Sequence, residues 1–189
     1  MKKLTISEIV FIAVVATAMG IFWWAYTFIY DLLKPVLYPL VLENLLTGIW
    51  LMGALFFPYI IRKPGSAILG EMIAAFIQGF IARWGITSLI WGAAQAIPVE
   101  FFFLLLRYKS WNYFTMCVAG IVSAMASFVL SFFWEQWFLK PDYYVYRQYL
   151  SFLISGILLA GLLSKWLADG LKKTGILNQF EIAKNDHSN

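Results

Sequence analysis

One cysteine, Cys117, and one histidine, His187, are all that a chain of 189 residues offers to soft-metal or nucleophilic chemistry. No disulfide can close within it, and zinc, haem and iron–sulfur sites lack a ligand set. His187 lies in a polar tail, so a Ser–His pair of the intramembrane-protease kind has no base. Asp31, Asp142, Asp169 and Asp186 are scattered through loops and ends, which leaves no close pair to hold magnesium for prenyl or phosphoalcohol transfer. The pattern G-x-x-x-x-G-K-[ST] is missing, so this chain does not hydrolyse ATP. No cofactor is expected. Charge is scarce as well: 13% of residues are Asp, Glu, Lys or Arg, against about 25% in a soluble domain.

What is present is apolar. The chain is 62% hydrophobic and 19% aromatic, with a mean hydropathy of +0.77. A water-soluble fold needs a polar outer face that this composition cannot supply. That excludes soluble enzymes, nucleic-acid binders and disordered proteins. A membrane-crossing helix needs about 20 mostly apolar residues, and six stretches qualify: roughly 5–29, 41–61, 66–82, 86–106, 111–138 and 148–168. The third is short and rich in alanine and glycine, so it is expected to be tilted or buried. The reading is an all-α polytopic membrane protein, a six-helix transmembrane bundle over 1–171, with a polar cytoplasmic tail over 172–189 that frays.

Basic residues set the orientation. With the N-terminus inside, the cytoplasmic side holds Lys2, Lys3, Arg62, Lys63, Arg107, Lys109, Lys165, Lys172, Lys173 and Lys184, and the outside holds Lys34, Arg83, Lys140 and Arg147. Ten against four predicts both termini in the cytoplasm and accounts for the +4 net charge without a nucleic acid. Lys2-Lys3 and Ala16-Thr17-Ala18 imitate a cleaved signal peptide, but the apolar run continues to Tyr30 without a polar break, so a retained first span is expected.

The ionisable groups deep in the spans are all acids: Glu43, Glu71, Glu100 and Glu135. An unpaired carboxylate in hydrocarbon costs several kcal/mol, so each must be protonated, hydrogen-bonded, near water or facing a cation. Hydrogen bonding between helices is the plain alternative, weighed evenly for Glu43 and for Glu8 near the interfaces. At 1.5 Å per residue, Glu71 and Glu100 both sit roughly 8–9 Å in from the cytoplasmic side and would form one acidic layer if their helices face each other. Gln78 shares a face with Glu71, Trp91 shares one with Gln95, and Glu43, Thr47 and Trp50 form a stripe. Tryptophan and tyrosine crowd the outer half, thirteen against five in the inner half, among them Trp134 and Tyr146. Interfacial belts would enrich both sides, so some of these rings are expected to line a cavity. Carboxylates beside such rings suit a flat, cationic, heteroaromatic ligand. On the first span Ala13, Ala16, Thr17 and Gly20 make a strip of small residues that serves either packing within the chain or docking of another subunit.

Several motifs together carry a resemblance. Gly48-Ile49-Trp50, the run Ile60-Ile61-Arg62-Lys63-Pro64-Gly65-Ser66-Ala67 followed by Glu71, then Trp84-Gly85, Trp91-Gly92 with Gln95 and Glu100, and Arg107-Tyr108-Lys109-Ser110-Trp111 resemble the YkoE family over approximately residues 40–111. These are substrate-binding S components of energy-coupling-factor (ECF) vitamin transporters, ATP-driven ABC importers of the bacterial cell membrane. The resemblance implies capture of thiamin, or its pyrimidine precursor hydroxymethylpyrimidine, on the outer side. It also implies a transmembrane coupling (T) subunit and ATPase subunits as partners, docked through the small strip on the first helix. It favours Glu71 and Glu100 as ligand contacts, whereas depth favours Glu43 and Glu135; the candidate binding set is Glu43, Trp50, Glu71, Gln78, Trp91, Gln95, Glu100, Trp134, Glu135 and Tyr146. Three rivals stand beside this reading. One is a membrane enzyme with Glu71 and Glu100 as acid and base. Another is a scaffold whose acids only hold the bundle together. The third is a self-sufficient secondary transporter, for which the halves show no internal repeat.

Overall fold

A computed structural model describes residues 3–184. Lys2 and His187 lie outside the described residues, as does the side chain of Lys184. All regular structure among the described residues is helical. Helix α1 (Ile6–Leu37) opens with a reciprocal cap: Thr5 N–H donates to Glu8 Oε2 at 2.7 Å, and Glu8 N–H donates to Thr5 Oγ1 at 3.4 Å. It runs unbroken through Ala16-Thr17-Ala18 and past the expected end at 29. There follow a stretch of 3-10 turns (Glu43–Ile49), α2 (Gly53–Ile61), α3 (Ser66–Ile81), α4 (Thr87–Leu105) and α5 (Tyr113–Trp134). The last long segment is α6 (Asp142–Ser155), a π-helical stretch (Gly156–Leu162) and α7 (Leu163–Lys173), and a short α8 (Glu181–Lys184) closes the described chain.

Five segments are long and apolar enough to cross a membrane: Ile6–Leu40, Glu43–Ile61, Thr87–Leu105, Tyr113–Trp134 and Asp142–Lys173. Helix Ser66–Ile81 is apolar but shorter, at 16 residues. Large apolar side chains such as Phe80, Phe114 and Leu105 point outward and are well exposed, the arrangement a hydrocarbon solvent rewards.

The second segment departs from an ordinary helix, and its neighbours supply the hydrogen bonds that this leaves over. Ser155 Oγ donates to the Leu45 carbonyl at 2.8 Å and accepts from Gly48 N–H at 2.7 Å, while Tyr26 OH donates to the Leu46 carbonyl at 3.0 Å. Non-α backbone at membrane depth is tolerated only where protein satisfies it. Glycine sets the closest approaches. A Cβ on Gly48 would stand 2.4 Å from the Ser155 carbonyl oxygen, and one on Gly120 would stand 2.1 Å from that of Gly156. The π-helical stretch thus lies backbone to backbone on α5, and Gly156 and Gly161 are used for packing inside the chain.

Two expectations need correction. The tail does not fray from Lys172: Leu177, Phe180 and Ile182 are buried, and the Phe180 ring lies 4.4 Å from that of Phe11. A polar average hid these three apolar residues. In the small strip on α1, Ala16 and Gly20 face inward, where a Cβ on Gly20 would meet the Ala74 carbonyl at 2.6 Å. Close packing on α3 therefore occupies that half of the strip, and Ala13 and Thr17 stay half-buried at its edge.

Because backbone cannot yield as a side-chain tip can, Gly120→Ala should cost about 1–3 kcal/mol of stability, the range for overpacking. Gly170→Ala, with nothing within 4 Å of its new methyl, should cost none. Thermal unfolding of both variants in detergent checks this, and equal midpoints would contradict the tight α5 contact.

Candidate functional site

A cavity of about 170 Å³ lies among α1, the second segment, α3, α4 and α5. Its floor is polar. Gln95, with its amide nitrogen turned inward, donates to Glu71 Oε1 at 2.8 Å and to the Trp50 carbonyl at 3.2 Å. Glu71 is fully buried and its Oε2 has no partner. That oxygen is pressed close to α2, for a Cβ on Gly53 would stand 2.4 Å from it.

Trp50 is the hub of the wall. Its ring lies 5.0 Å from Tyr26, 5.3 Å from Tyr30 and 6.1 Å from Trp84, each edge-on. Trp23 and Trp91 complete the aromatic lining. The rim carries Asn44, Ser88, Trp84 and Glu135, all at the end of the bundle opposite the start of α1. There Arg83 binds Asp31 with two hydrogen bonds of 2.6 and 2.7 Å and lies 4.5 Å over the Trp84 ring, which ties the α3–α4 turn to α1. Glu135 follows the last residue of α5 and accepts from Trp137 Nε1 at 3.0 Å. The protein wall that withdraws water from this rim carboxyl raises its pKa; the Trp137 N–H opposes the shift and the charge of Glu43 adds to it.

Six of the residues singled out from sequence line this one cavity: Trp50, Glu71, Gln78, Trp91, Gln95 and Glu135. Glu43 sits just behind the wall. Its Oε1 accepts from Gln148 Nε2 at 2.6 Å, Gln148 in turn accepts from Asn44 at 2.7 Å, and Glu43 Oε2 has no partner. Glu100 does not join Glu71 in an acidic layer. It accepts from Gly65 N–H at 2.7 Å, from Ala67 N–H at 3.1 Å and from the Tyr108 hydroxyl, so it caps the N-terminus of α3. Trp134 and Tyr146 are exposed and do not line the cavity, and Trp134 makes an edge contact of 6.4 Å with Trp91. Sequence reasoning passed over Trp23, Tyr30, Ser127 and Ser131 as site residues. The serines had a signal: Ser123, Ser127 and Ser131 form a buried i, i+4 stripe on an otherwise apolar helix.

Comparison with known proteins decides the family. The provisionally named HMP/thiamine permease protein YkoE of Bacillus subtilis is 31% identical over 97% of this chain and 92% of its own length. This chain belongs to the YkoE family. A crystal structure of an S-component of an ECF transporter superposes with a TM-score of 0.91 at 29% identity, covering 98% of this chain and 94% of that one. The family described as ABC-type cobalt transport system, permease component, matches residues 7–126. As a member of the YkoE family, the chain is a multi-pass membrane protein, the substrate-binding S component of an ECF transporter, and its role is transport rather than catalysis. Among the described residues no group of three His, Cys, Asp or Glu is placed to hold a metal ion.

Glu71 and Glu100 should respond oppositely to amidation. Glu100→Gln turns an NH2 toward a backbone N–H and should cost about 1–3 kcal/mol, the penalty of an unsatisfied buried group. Glu71→Gln removes a buried charge, keeps an acceptor for Gln95, and should leave stability equal or higher. Unfolding midpoints of the ligand-free variants measure both; a larger loss for Glu71→Gln would reverse these roles.

Proposed function

We propose that this chain captures thiamin from the outside for ATP-driven uptake. The observation that carries the reading is the unpartnered Glu71 oxygen at the floor of a cavity walled by Trp23, Trp50, Trp84 and Trp91. Thiamin carries a fixed positive thiazolium, and a cation entering a buried site needs an anionic partner. The aromatic walls stack its rings and attract the charge. Trp23 Nε1, Trp50 Nε1 and Ser127 Oγ, on residues lining the cavity, have no partners and suit the acceptor nitrogens of the pyrimidine half. Those donors would serve hydroxymethylpyrimidine without any charge, which makes the precursor the second reading; the YkoE relative is named for both compounds. The other candidate contacts follow from placement. Gln95 and Gln78 orient the ring, Glu135 meets the ligand at the rim, and Glu43 acts through Gln148.

The same proposal covers topology and partners. Helix Ser66–Ile81 is taken as a sixth crossing beside the five longer segments, residues 1–171 as one membrane domain, and 172–189 as its cytoplasmic extension. Both termini then lie inside a bacterial plasma membrane, with the cavity rim outside. A coupling T subunit and ATPase subunits would provide the driving force, with Ala13 and Thr17 as the part of the small strip left to meet them.

Calorimetric titration of the purified protein with thiamin and with hydroxymethylpyrimidine tests the reading. Thiamin should bind one to one and quench tryptophan emission, and Glu71→Gln should weaken it by about 2–5 kcal/mol, the cost of truncating one member of a buried charged pair. The uncharged pyrimidine should lose less. Absence of binding by both compounds would refute the proposal.

Glu135 adds a pH dependence. Its carboxyl ionises above the ordinary 4.5 of a glutamate, and only the ionised form attracts a cation. Thiamin affinity should therefore rise with pH through that raised pKa and level off above it, and this component should vanish in Glu135→Gln. Superimposable profiles for parent and variant would remove Glu135 from the site.

A further inference from the structure

Beside the cavity, and apart from Glu71, a chain of side-chain hydrogen bonds runs in one fixed direction. Glu43 and Asn44 are neighbours in the 3-10 stretch Glu43–Ile49, and both reach Gln148 of α6. Gln148 Nε2 donates to Glu43 Oε1 at 2.6 Å, and Gln148 Oε1 accepts from Asn44 Nδ2 at 2.7 Å. Glu43 and Gln148 are both buried, so no water takes up a bond that either of them loses. Asn44 is half-buried and lines the cavity. Its backbone is held as well, because Thr47 Oγ1 donates to the Asn44 carbonyl at 2.8 Å.

The direction of the chain follows from its first member. A carboxylate accepts, whereas an amide accepts at its oxygen and donates from its nitrogen. Glu43 therefore obliges Gln148 to present its nitrogen. The Gln148 oxygen that remains obliges Asn44 to do the same. Turning either amide over would set two oxygens, or two nitrogens, against each other in a buried place. Asn44 is thus locked with its nitrogen toward α6, and Oδ1 is the atom it has left for a ligand.

Such a lock matters only for some ligand groups. A hydroxyl both donates and accepts, so either end of an amide serves it. The ring amine of an aminopyrimidine, its lone pair drawn into the ring, only donates. Trp23 Nε1 and Trp50 Nε1 are themselves donors, which suits the ring nitrogens and leaves the amine in need of an acceptor.

Resting on the reading of this cavity as the site for thiamin or its pyrimidine precursor, we infer that Asn44 Oδ1 accepts from the ring amine. Glu43, acting through Gln148, is the positioning residue that keeps this oxygen turned to the ligand. The site then selects aminopyrimidines over their oxo counterparts, in which a carbonyl oxygen replaces the amine.

Calorimetric titration of the full chain with thiamin and with its oxo analogue, which carries the same thiazolium charge, tests the assignment. The parent should prefer the amine by about tenfold or more, because two acceptors set face to face leave a buried group unsatisfied. Glu43→Gln keeps the size of the side chain but lets the chain of bonds run either way, so the ratio of the two affinities should fall to near unity. Asn44→Leu should lose the preference too, with thiamin still held at Glu71. A change that merely loosens the fold weakens both compounds and leaves their ratio in place, which separates positioning from stability. Equal affinity of the parent for the two compounds, or a parent-like ratio in Glu43→Gln, would overturn the inference while thiamin capture stands. Failure of thiamin, its oxo analogue and hydroxymethylpyrimidine alike to bind would overturn the reading of the cavity itself, and this inference with it.

Discussion

A polar group in hydrocarbon has no water to fall back on, and the use of each buried acid follows from the partner it finds. Glu8 is matched by Lys63 at 2.6 Å, with both side chains buried, which ties the start of α1 to the α2–α3 turn. Glu100 takes two backbone N–H groups and a tyrosine hydroxyl and becomes the cap of a helix. Glu43 is half-met by Gln148. Glu71 is met on one oxygen by Gln95, while the other lies against the backbone at the start of α2 and makes no hydrogen bond of ordinary geometry. A fully satisfied carboxylate stabilises the bundle and has no capacity left for a ligand; an incompletely satisfied one retains that capacity at a cost in stability. Glu8, Glu43, Glu71 and Glu100 therefore differ in how much hydrogen-bonding capacity each keeps in reserve.

The same constraint explains the irregular second segment. A regular α-helix through residues 43–49 would satisfy its own backbone and leave Ser155 and Tyr26 without their acceptors there. Turned into tighter 3-10 geometry, the segment accepts bonds from both neighbouring helices and brings Trp50 to the junction with α2, where its ring meets Tyr26, Tyr30 and Trp84. The aromatic cage is in this sense a product of backbone hydrogen bonds that leave their own helix.

How much of this was legible beforehand depends on where polarity breaks an apolar background. Apolar runs of 20 residues and the separators between them are visible because charge and turn residues interrupt them, and the long segments lie close to where they were expected. Facing pairs one or two turns apart, Glu71 with Gln78 and Trp91 with Gln95, converge as their spacing implied. Which side of a helix looks inward is harder. In water an apolar face means the core, but in a bilayer both faces are apolar, and Trp134 and Tyr146 prove to look outward although nothing in their neighbourhood says so. Glu100 misled for another reason. Its partners are backbone N–H groups 33 and 35 residues away, and backbone donors leave no mark in a sequence. The tail was misjudged by averaging, since three apolar residues among polar ones suffice to anchor a short segment.

Trp23 is shared by two concave features, the cavity floored by Glu71 and a groove on the outside of the bundle lined by Val15, Phe22, Met52 and Phe56. It is 1% exposed, lines the cavity on one side and the outer groove on the other, and so forms a partition one indole thick. Gly53 lies where that partition meets the cavity floor. A Cβ there would stand 3.3 Å from Cη2 of Trp23 and 2.4 Å from Glu71 Oε2. Any larger residue at 53 would have to displace the unpartnered carboxylate oxygen, and would crowd the ring as well. The bare backbone at the start of α2 is thus what lets a buried acid and the indole partition occupy one layer. The position of Glu71 in the cavity and the integrity of its wall consequently rest on the same missing side chain.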